Sequence, residues 1–142
     1  MSKEIDLNKV PEGLPAPVDD GSAQHLVGLE LPGVCLASSG GNPVALAGLK
    51  GKVVIFCYPM TGRPGESLPD GWDQIPGARG CTPQACAYRD NHREFESAGA
   101  AVFGVSTQST EDQKEAATRL SLPYPLLSDE GRQLQNALDL PV

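Results

Sequence analysis

Two cysteines, Cys81 and Cys86, follow a glycine-rich stretch and fall where a helix is predicted to begin. Thr82 is suited to the N-cap and Pro83 to the first helical position. A sulfur at a helix N-terminus faces backbone N–H groups that have no partner, and these groups and the helix dipole favour the thiolate. We therefore expect Cys81 to be a reactive thiol with a pKa below the usual value of about 8.5.

The spacing of Cys81 and Cys86 indicates which chemistry the pair could perform. In one ideal helix, Cα atoms of residues so spaced lie about 8.7 Å apart, whereas a disulfide needs less than about 7 Å. A bond between them would require the first turns of the helix to unwind. The chemistry implied is oxidation of one thiolate and capture of the product by the other thiol. The spacing does not fit a zinc pair, so we expect neither a metal nor a cofactor.

Arginines are concentrated near these cysteines, with four of the chain's six in residues 60–93. Arg79, two residues before Cys81, is the best placed to stabilise a thiolate. Arg89 is equally compatible with that role and with a solvated helix face. Cys35 and Cys57 lie in apolar strand patterns, and we interpret both as core residues.

The first third of the chain is predicted to contain an arm, a hairpin and a strand. Residues 1–22 are rich in proline and lack apolar periodicity, which indicates a flexible arm. Short apolar runs at 34–37 and 44–46 predict a hairpin. The uninterrupted apolar run at 53–58 predicts a strand covered on both faces.

The segment at 62–80 is long for a loop within a compact domain, and such loops are usually functional or disordered. It is rich in glycine and proline but includes Trp72, the chain's single tryptophan, and Ile75. These two residues favour a folded lid.

The rest of the chain alternates between helix and strand. Helices are predicted from Thr82 to Gly99, at 110–120 and at 131–138, and strands at 100–105 and 125–127. Thr110 and Gln113 match a capping box. In the last helix, Leu134, Ala137 and Leu138 are predicted to point inward. The alternation predicts a layered α/β domain over residues 23–142.

Composition excludes several functions. A chain of 142 residues forms one domain by default. Its net charge of −7 supplies no basic surface for nucleic acid or anionic lipid, so neither is an expected partner. It has no apolar run of roughly 20 residues and no basic-then-apolar leader, so we expect a cytoplasmic protein. In such a reducing compartment, cysteines are more often catalytic, buried or metal-bound than disulfide-linked.

The motifs at 56–59 (Phe-Cys-Tyr-Pro) and 80–90 (Gly-Cys-Thr-Pro-Gln-Ala-Cys-Ala-Tyr-Arg-Asp) resemble the Q-type, or bacterioferritin-comigratory, peroxiredoxins. Residues 103–106 and 126–129 are similar to later strands of that family, and the resemblance covers roughly residue 26 onward. It implies a thioredoxin-like three-layer α/β/α fold and an antioxidant enzyme that reduces hydrogen peroxide or organic hydroperoxides. It also implies that Cys81 is peroxidatic, that Cys86 resolves it as a disulfide, and that a thioredoxin-like protein is the reductant.

The chain departs from the family pattern in two places. Pro59 lies 22 residues before Cys81, and Ala78 stands where the family has threonine, so an insertion precedes the cysteine. We expect Pro59 to support the site and Thr61 to supply the missing hydroxyl. Family members also continue through two more strands and a helix, with an active-site arginine. We therefore expect a C-terminally truncated fold; only if Val142 were the true end would Arg79 have to substitute for that arginine.

Three hypotheses follow, of which the first is a thioredoxin-dependent peroxidase. The second is a thiol-disulfide oxidoreductase that acts on protein substrates through the same cysteines, against which the absence of a Cys-x-x-Cys motif argues. The third is an inactive fragment that serves only as an interaction module.

Overall fold

Five strands form one mixed sheet in the computed structural model, which describes residues 9–141. The strands are β1 (Cys35–Ser38), β2 (Val44–Ala45), β3 (Lys52–Cys57), β4 (Ala100–Ser106) and β5 (Leu126–Ser128). Their spatial order is β2-β1-β5-β4-β3. β3, β4 and β5 run parallel, and β1 is antiparallel to both β2 and β5. The predicted hairpin is thus confirmed as β1 and β2.

Four helices flank this sheet within the described residues: α1 (Cys81–Asp90), α2 (His92–Ser97), α3 (Thr110–Arg119) and α4 (Gln133–Leu138). One apolar cluster joins the sheet to α1, α2 and α3, and includes Phe56, Ala85, Phe95 and Ala116. A second cluster lies on the other face and includes Leu134 of α4. The predicted three-layer α/β/α arrangement is confirmed.

β3 shows why an uninterrupted apolar run is needed in this sheet. Val54 and Phe56 pack in the first cluster, whereas Val53 and Ile55 pack against the second. Both faces are therefore covered, as predicted. However, residues 53–55 are only half-buried, because β3 is the edge strand of the sheet among the described residues.

The helix that contains both cysteines begins one residue before the predicted cap. Gly80 is its N-cap, and the Gly80 carbonyl accepts the Gln84 N–H at 2.9 Å. Cys81 is thus the first helical residue, and Thr82 is a buried residue of the first turn rather than the cap. The predicted single helix is interrupted at Asn91, whose side-chain amide donates to the Ala87 carbonyl at 2.8 Å and competes with the backbone.

Two further local predictions are wrong. Ser109, not Thr110, caps α3, with the Ser109 hydroxyl accepting the Asp112 N–H at 3.2 Å. Gln113 is fully buried instead of reaching back to the cap, because its Nε2 donates to Ser106 Oγ at 3.0 Å and to the Leu127 carbonyl at 2.7 Å. In α4, Ala137 is exposed, since this short helix buries only Leu134.

The N-terminal arm includes residues 1–8, which lie outside the described residues. Residues 9–22 form neither helix nor strand. The Gly77 N–H donates to the Pro15 carbonyl at 3.2 Å, so the arm contacts the predicted lid. None of the helices among residues 9–141 has the length and apolar character that crossing a membrane requires.

Gly104 allows β4 to pack closely between its neighbours, and this generates a stability prediction. A Cβ there would lie 2.7 Å from Leu126 Cδ2 and 2.7 Å from Phe56 Cζ. We expect Gly104→Ala to lower the free energy of unfolding by about 1–3 kcal/mol through overpacking, measured by urea denaturation. Gly33→Ala is the control, because a Cβ there meets no atom within 4 Å. Equal stability of the two variants would contradict the packing described for β4.

Candidate active site

Cys81 lies where the end of β3 meets the first turn of α1. Its side chain is only 7% exposed and belongs to the apolar cluster that contains Tyr58 and Phe56. Just beyond β3, Met60 lines the same cavity as Cys81, and its backbone N–H favours the Cys81 thiolate. The thiol is therefore buried among apolar side chains but faces backbone donors.

Burial has the largest effect on the acidity of this thiol. It raises the pKa of Cys81, while the backbone N–H groups of Met60 and of Cys81 itself oppose the rise. The predicted lowering of the Cys81 pKa is wrong for this conformation. The helix N-terminus provides donors as expected, but removing the thiolate from water costs more than those donors return.

A small, partly open cavity of about 20 Å³ lies against Cys81. Met60 and Thr82 line it from the framework, and Leu68, Trp72 and Arg79 line it from the segment at 62–80. A cavity of this size holds about one water molecule. The segment includes a 3-10 turn at Trp72–Gln74, so the prediction of a folded lid is confirmed.

Arg79 lies at the cavity, but its guanidinium binds a carboxylate. Its Nε and Nη2 donate to the two carboxylate oxygens of Asp73 at 2.7 and 2.6 Å. The Arg79 backbone has a positive φ of 60°, unusual for a residue with a side chain. Arg79, which was predicted to stabilise the Cys81 thiolate, therefore forms a bidentate ion pair with Asp73 within the lid instead.

Cys86 lies in the middle of α1 and is half-buried. Burial raises the pKa of Tyr124, and the charge of a nearby Cys86 thiolate raises it further. The Tyr124 hydroxyl donates to the carbonyl of Ala85 at 2.5 Å, between the two cysteines. Both cysteines are free thiols in a continuous helix. An ideal helix separates their Cα atoms by about 8.7 Å, so the structure is that of the unbonded pair.

Known proteins are similar to this chain in sequence and in fold. Residues 75–142 match the AhpC/TSA family. The chain is 40% identical over 111 residues to the chloroplastic peroxiredoxin Q of Sedum lineare, covering 78% of this chain and 52% of that protein. Its identity to the Arabidopsis thaliana peroxiredoxin Q is 36% over 133 residues, covering 89% of this chain and 55% of that one. The chain therefore spans about half the length of these plant relatives.

Residues 75–142 are therefore similar to the AhpC/TSA family, and most of the chain is similar in sequence to peroxiredoxin Q proteins. Solved structures confirm the thioredoxin-like fold. Peroxiredoxin Q of Xanthomonas campestris has a TM-score of 0.58 at 24% identity, over 89% of this chain and 65% of that one. The peroxidoxin BcpB of Mycobacterium tuberculosis has a TM-score of 0.57 at 28% identity, over 75% and 61%.

The remaining residues predicted to support the site lie away from the Cys81 cavity. Thr61 is buried, and both its N–H and its hydroxyl donate to Gln108 Oε1, at 3.1 and 3.4 Å. Pro59 is exposed and lines a separate cavity at the end of the sheet. Arg89 lies near Cys86, with its Nη1 donating to the Leu120 carbonyl at 2.8 Å. The structure therefore brings Arg89 to the second cysteine rather than the first.

Two residues at the site were not identified from sequence. Met60 offers its backbone N–H to Cys81, and Thr82 lines the cavity. The signal for Met60 is its position directly after a strand end, where ligand sites of parallel sheets form. For Thr82, the signal is its place beside Cys81 in the first helical turn. Conversely, Cys35 and Cys57 are exposed rather than core residues, because each occupies an outward position at the end of its strand.

The raised pKa of Cys81 predicts an unusual pH profile. Because the thiolate is the species that reacts, we expect the rate of Cys81 alkylation by iodoacetamide to rise with pH with a midpoint above about 8.5. Peptide mass spectrometry follows this cysteine separately from the other three. The control is the urea-unfolded chain, where loss of burial returns the midpoint to the ordinary value. A folded-state midpoint at or below the unfolded one would contradict the assigned effect of burial.

Proposed function

We propose that this chain is a thiol peroxidase that reduces a hydroperoxide at Cys81. The supporting observation is the small cavity lined by Cys81, Met60 and Thr82, beside a thiol whose charged form is favoured by backbone N–H groups. A site closed to proteins and large molecules but adjacent to a thiol is suited to a small oxidant. The relatives' name, peroxiredoxin Q, supports the same reaction.

The first step transfers one oxygen atom. The Cys81 thiolate attacks the terminal oxygen of the peroxide, the O–O bond breaks, and the departing oxygen takes a proton and leaves as water or an alcohol. Cys81 is oxidised to the sulfenic acid. The N–H groups of Met60 and Cys81 favour the attacking thiolate, since each donates to the charged form.

The second step makes a disulfide within α1. The Cys86 thiolate attacks the Cys81 sulfenic sulfur, an S–S bond forms, and hydroxide leaves and is protonated to water. Because the intact helix holds the cysteines too far apart, the turns between Gly80 and Cys86 must open. Arg89 lies near Cys86.

Reduction returns the enzyme to the dithiol state. We propose that a thioredoxin-like dithiol protein attacks the disulfide and is itself oxidised to a disulfide, and that the protein acts in the cytoplasm. Cys86 is more accessible than Cys81 and is the sulfur that such a protein would reach first. The absence of a Cys-x-x-Cys motif argues against the alternative of a protein thiol-disulfide oxidoreductase.

The peroxidase proposal predicts defined oxidation products. Reduced protein treated with one equivalent of hydrogen peroxide is expected to form the Cys81–Cys86 disulfide, seen by peptide mass spectrometry. Cys86→Ser is expected instead to accumulate the sulfenic acid at Cys81, detected with dimedone. Cys35→Ser is the matched control and should behave as the unmodified chain does. Cys81 left as a free thiol would refute the proposal and leave the interaction-module hypothesis.

The hydrogen bond from Tyr124 to Ala85 predicts the rate of the second step. Tyr124→Phe removes a bond worth about 1 kcal/mol that holds α1 together between the cysteines, so disulfide formation should become roughly fivefold faster. The rate is measured by quenching with acid after a peroxide pulse. Tyr88→Phe removes a hydroxyl from α1 itself and is the control. An unchanged or slower rate in Tyr124→Phe would show that this bond does not restrain unwinding.

A further inference from the structure

Access to Cys81 is governed by side chains of one segment. Leu68, Trp72 and Arg79, all within residues 62–80, line the small cavity beside Cys81 together with Met60 and Thr82. This segment is the insertion described above, which makes the distance in sequence from Pro59 to Cys81 longer than in the family pattern. A molecule that reaches the sulfur through this cavity must therefore fit beside these three side chains or displace them.

The lid is held together by its own bonds. The Trp72 N–H donates to the Pro69 carbonyl at 3.1 Å, and the Ile75 N–H donates to the Trp72 carbonyl at 3.1 Å. The Arg79–Asp73 pair closes the segment over the 3-10 turn. Displacing the turn would therefore disrupt several bonds together.

The lid is also tied to the domain at its start. Arg119 Nη2 donates to the Gly62 carbonyl at 2.8 Å, and Arg63 forms an ion pair with Asp112 of α3. These bonds fix where the segment leaves the sheet. Widening the cavity therefore requires movement nearer Trp72 than Gly62.

Cavity size separates the possible peroxides. The space of about 20 Å³ holds about one water molecule, so hydrogen peroxide, with two oxygen atoms, needs only a small side-chain movement. A benzene-sized group occupies a cavity of roughly 150 Å³ in a protein interior. An aryl hydroperoxide could enter only if Trp72 and the turn around it moved away together. Its rate would then be reduced by the small fraction of molecules with an open lid.

We propose that the lid restricts Cys81 to hydrogen peroxide and similarly small hydroperoxides, with Trp72 as the specificity-determining side chain. This inference rests on the proposed peroxidase function. It concerns selection of substrate by steric exclusion, with no group of the lid taking part in bond formation.

The test compares two oxidants of different size. Rates of Cys81 oxidation by hydrogen peroxide and by cumene hydroperoxide are measured by mass spectrometry on reduced protein. Steric exclusion predicts that hydrogen peroxide reacts at least about tenfold faster, and that Trp72→Ala reduces this ratio by about tenfold, chiefly by accelerating cumene hydroperoxide. Ile75→Ala is the matched control, because Ile75 lies in the same segment but is 50% exposed. Trp72→Phe, which better preserves folding, should give a ratio of the two oxidation rates that lies between the ratio of Trp72→Ala and that of the unmodified chain.

A second arm uses no peroxide and therefore separates this inference from the peroxidase proposal. Alkylation of Cys81 by iodoacetamide and by the bulkier N-phenylmaleimide is followed at fixed pH. Trp72→Ala should accelerate the bulky reagent about tenfold more than the small one, whereas Ile75→Ala should not. If neither peroxide oxidises Cys81, the peroxidase proposal fails. The ratio of the two alkylation rates then decides the steric inference by itself. An unchanged size ratio in both Trp72 variants would overturn it.

Discussion

The balance between burial and backbone hydrogen bonding at the Cys81 sulfur is the constraint on which the site depends. β3 delivers the Met60 N–H to one side of this sulfur, and α1 begins on the other. A thiolate here loses its water, and the donors return only part of the cost, so the pKa of Cys81 is raised in the closed structure. Reactivity therefore depends on how far the surroundings open, as well as on the helix N-terminus.

The same helix must satisfy two incompatible geometries. As a continuous α-helix it presents Cys81 to the cavity and packs Ala85 against the sheet. If a disulfide joined Cys81 to Cys86, the helical turns between these two cysteines would have to unwind. Two hydrogen bonds attach this part of α1 to the rest of the domain. The Tyr124 hydroxyl donates to the Ala85 carbonyl, and Arg89 donates to the Leu120 carbonyl. These contacts set the free energy that separates the two states.

The lid adds a second control over the same sulfur. Its side chains occupy space beside the buried thiol and so limit what can approach it. One of them, Arg79, is held by an ion pair to Asp73 within the same segment. A segment that is self-contained in this way can differ in sequence and length without altering the sheet beneath it.

Local sequence signals were sufficient for the alternation of strands and helices and for a helix beside Cys81, although they placed its start one residue late and missed the interruption at Asn91. Periodicity and glycine positions depend on bonds between near neighbours, so a single sequence records them. The partners of each charged or polar side chain depended on the tertiary structure. Arg79 turns to Asp73, Arg89 lies by Cys86, and Thr61 bonds Gln108. The direction of the Cys81 pKa shift also depended on the tertiary structure, because the segments that bury this thiol are distant in sequence. No local sequence pattern indicates how completely they exclude water.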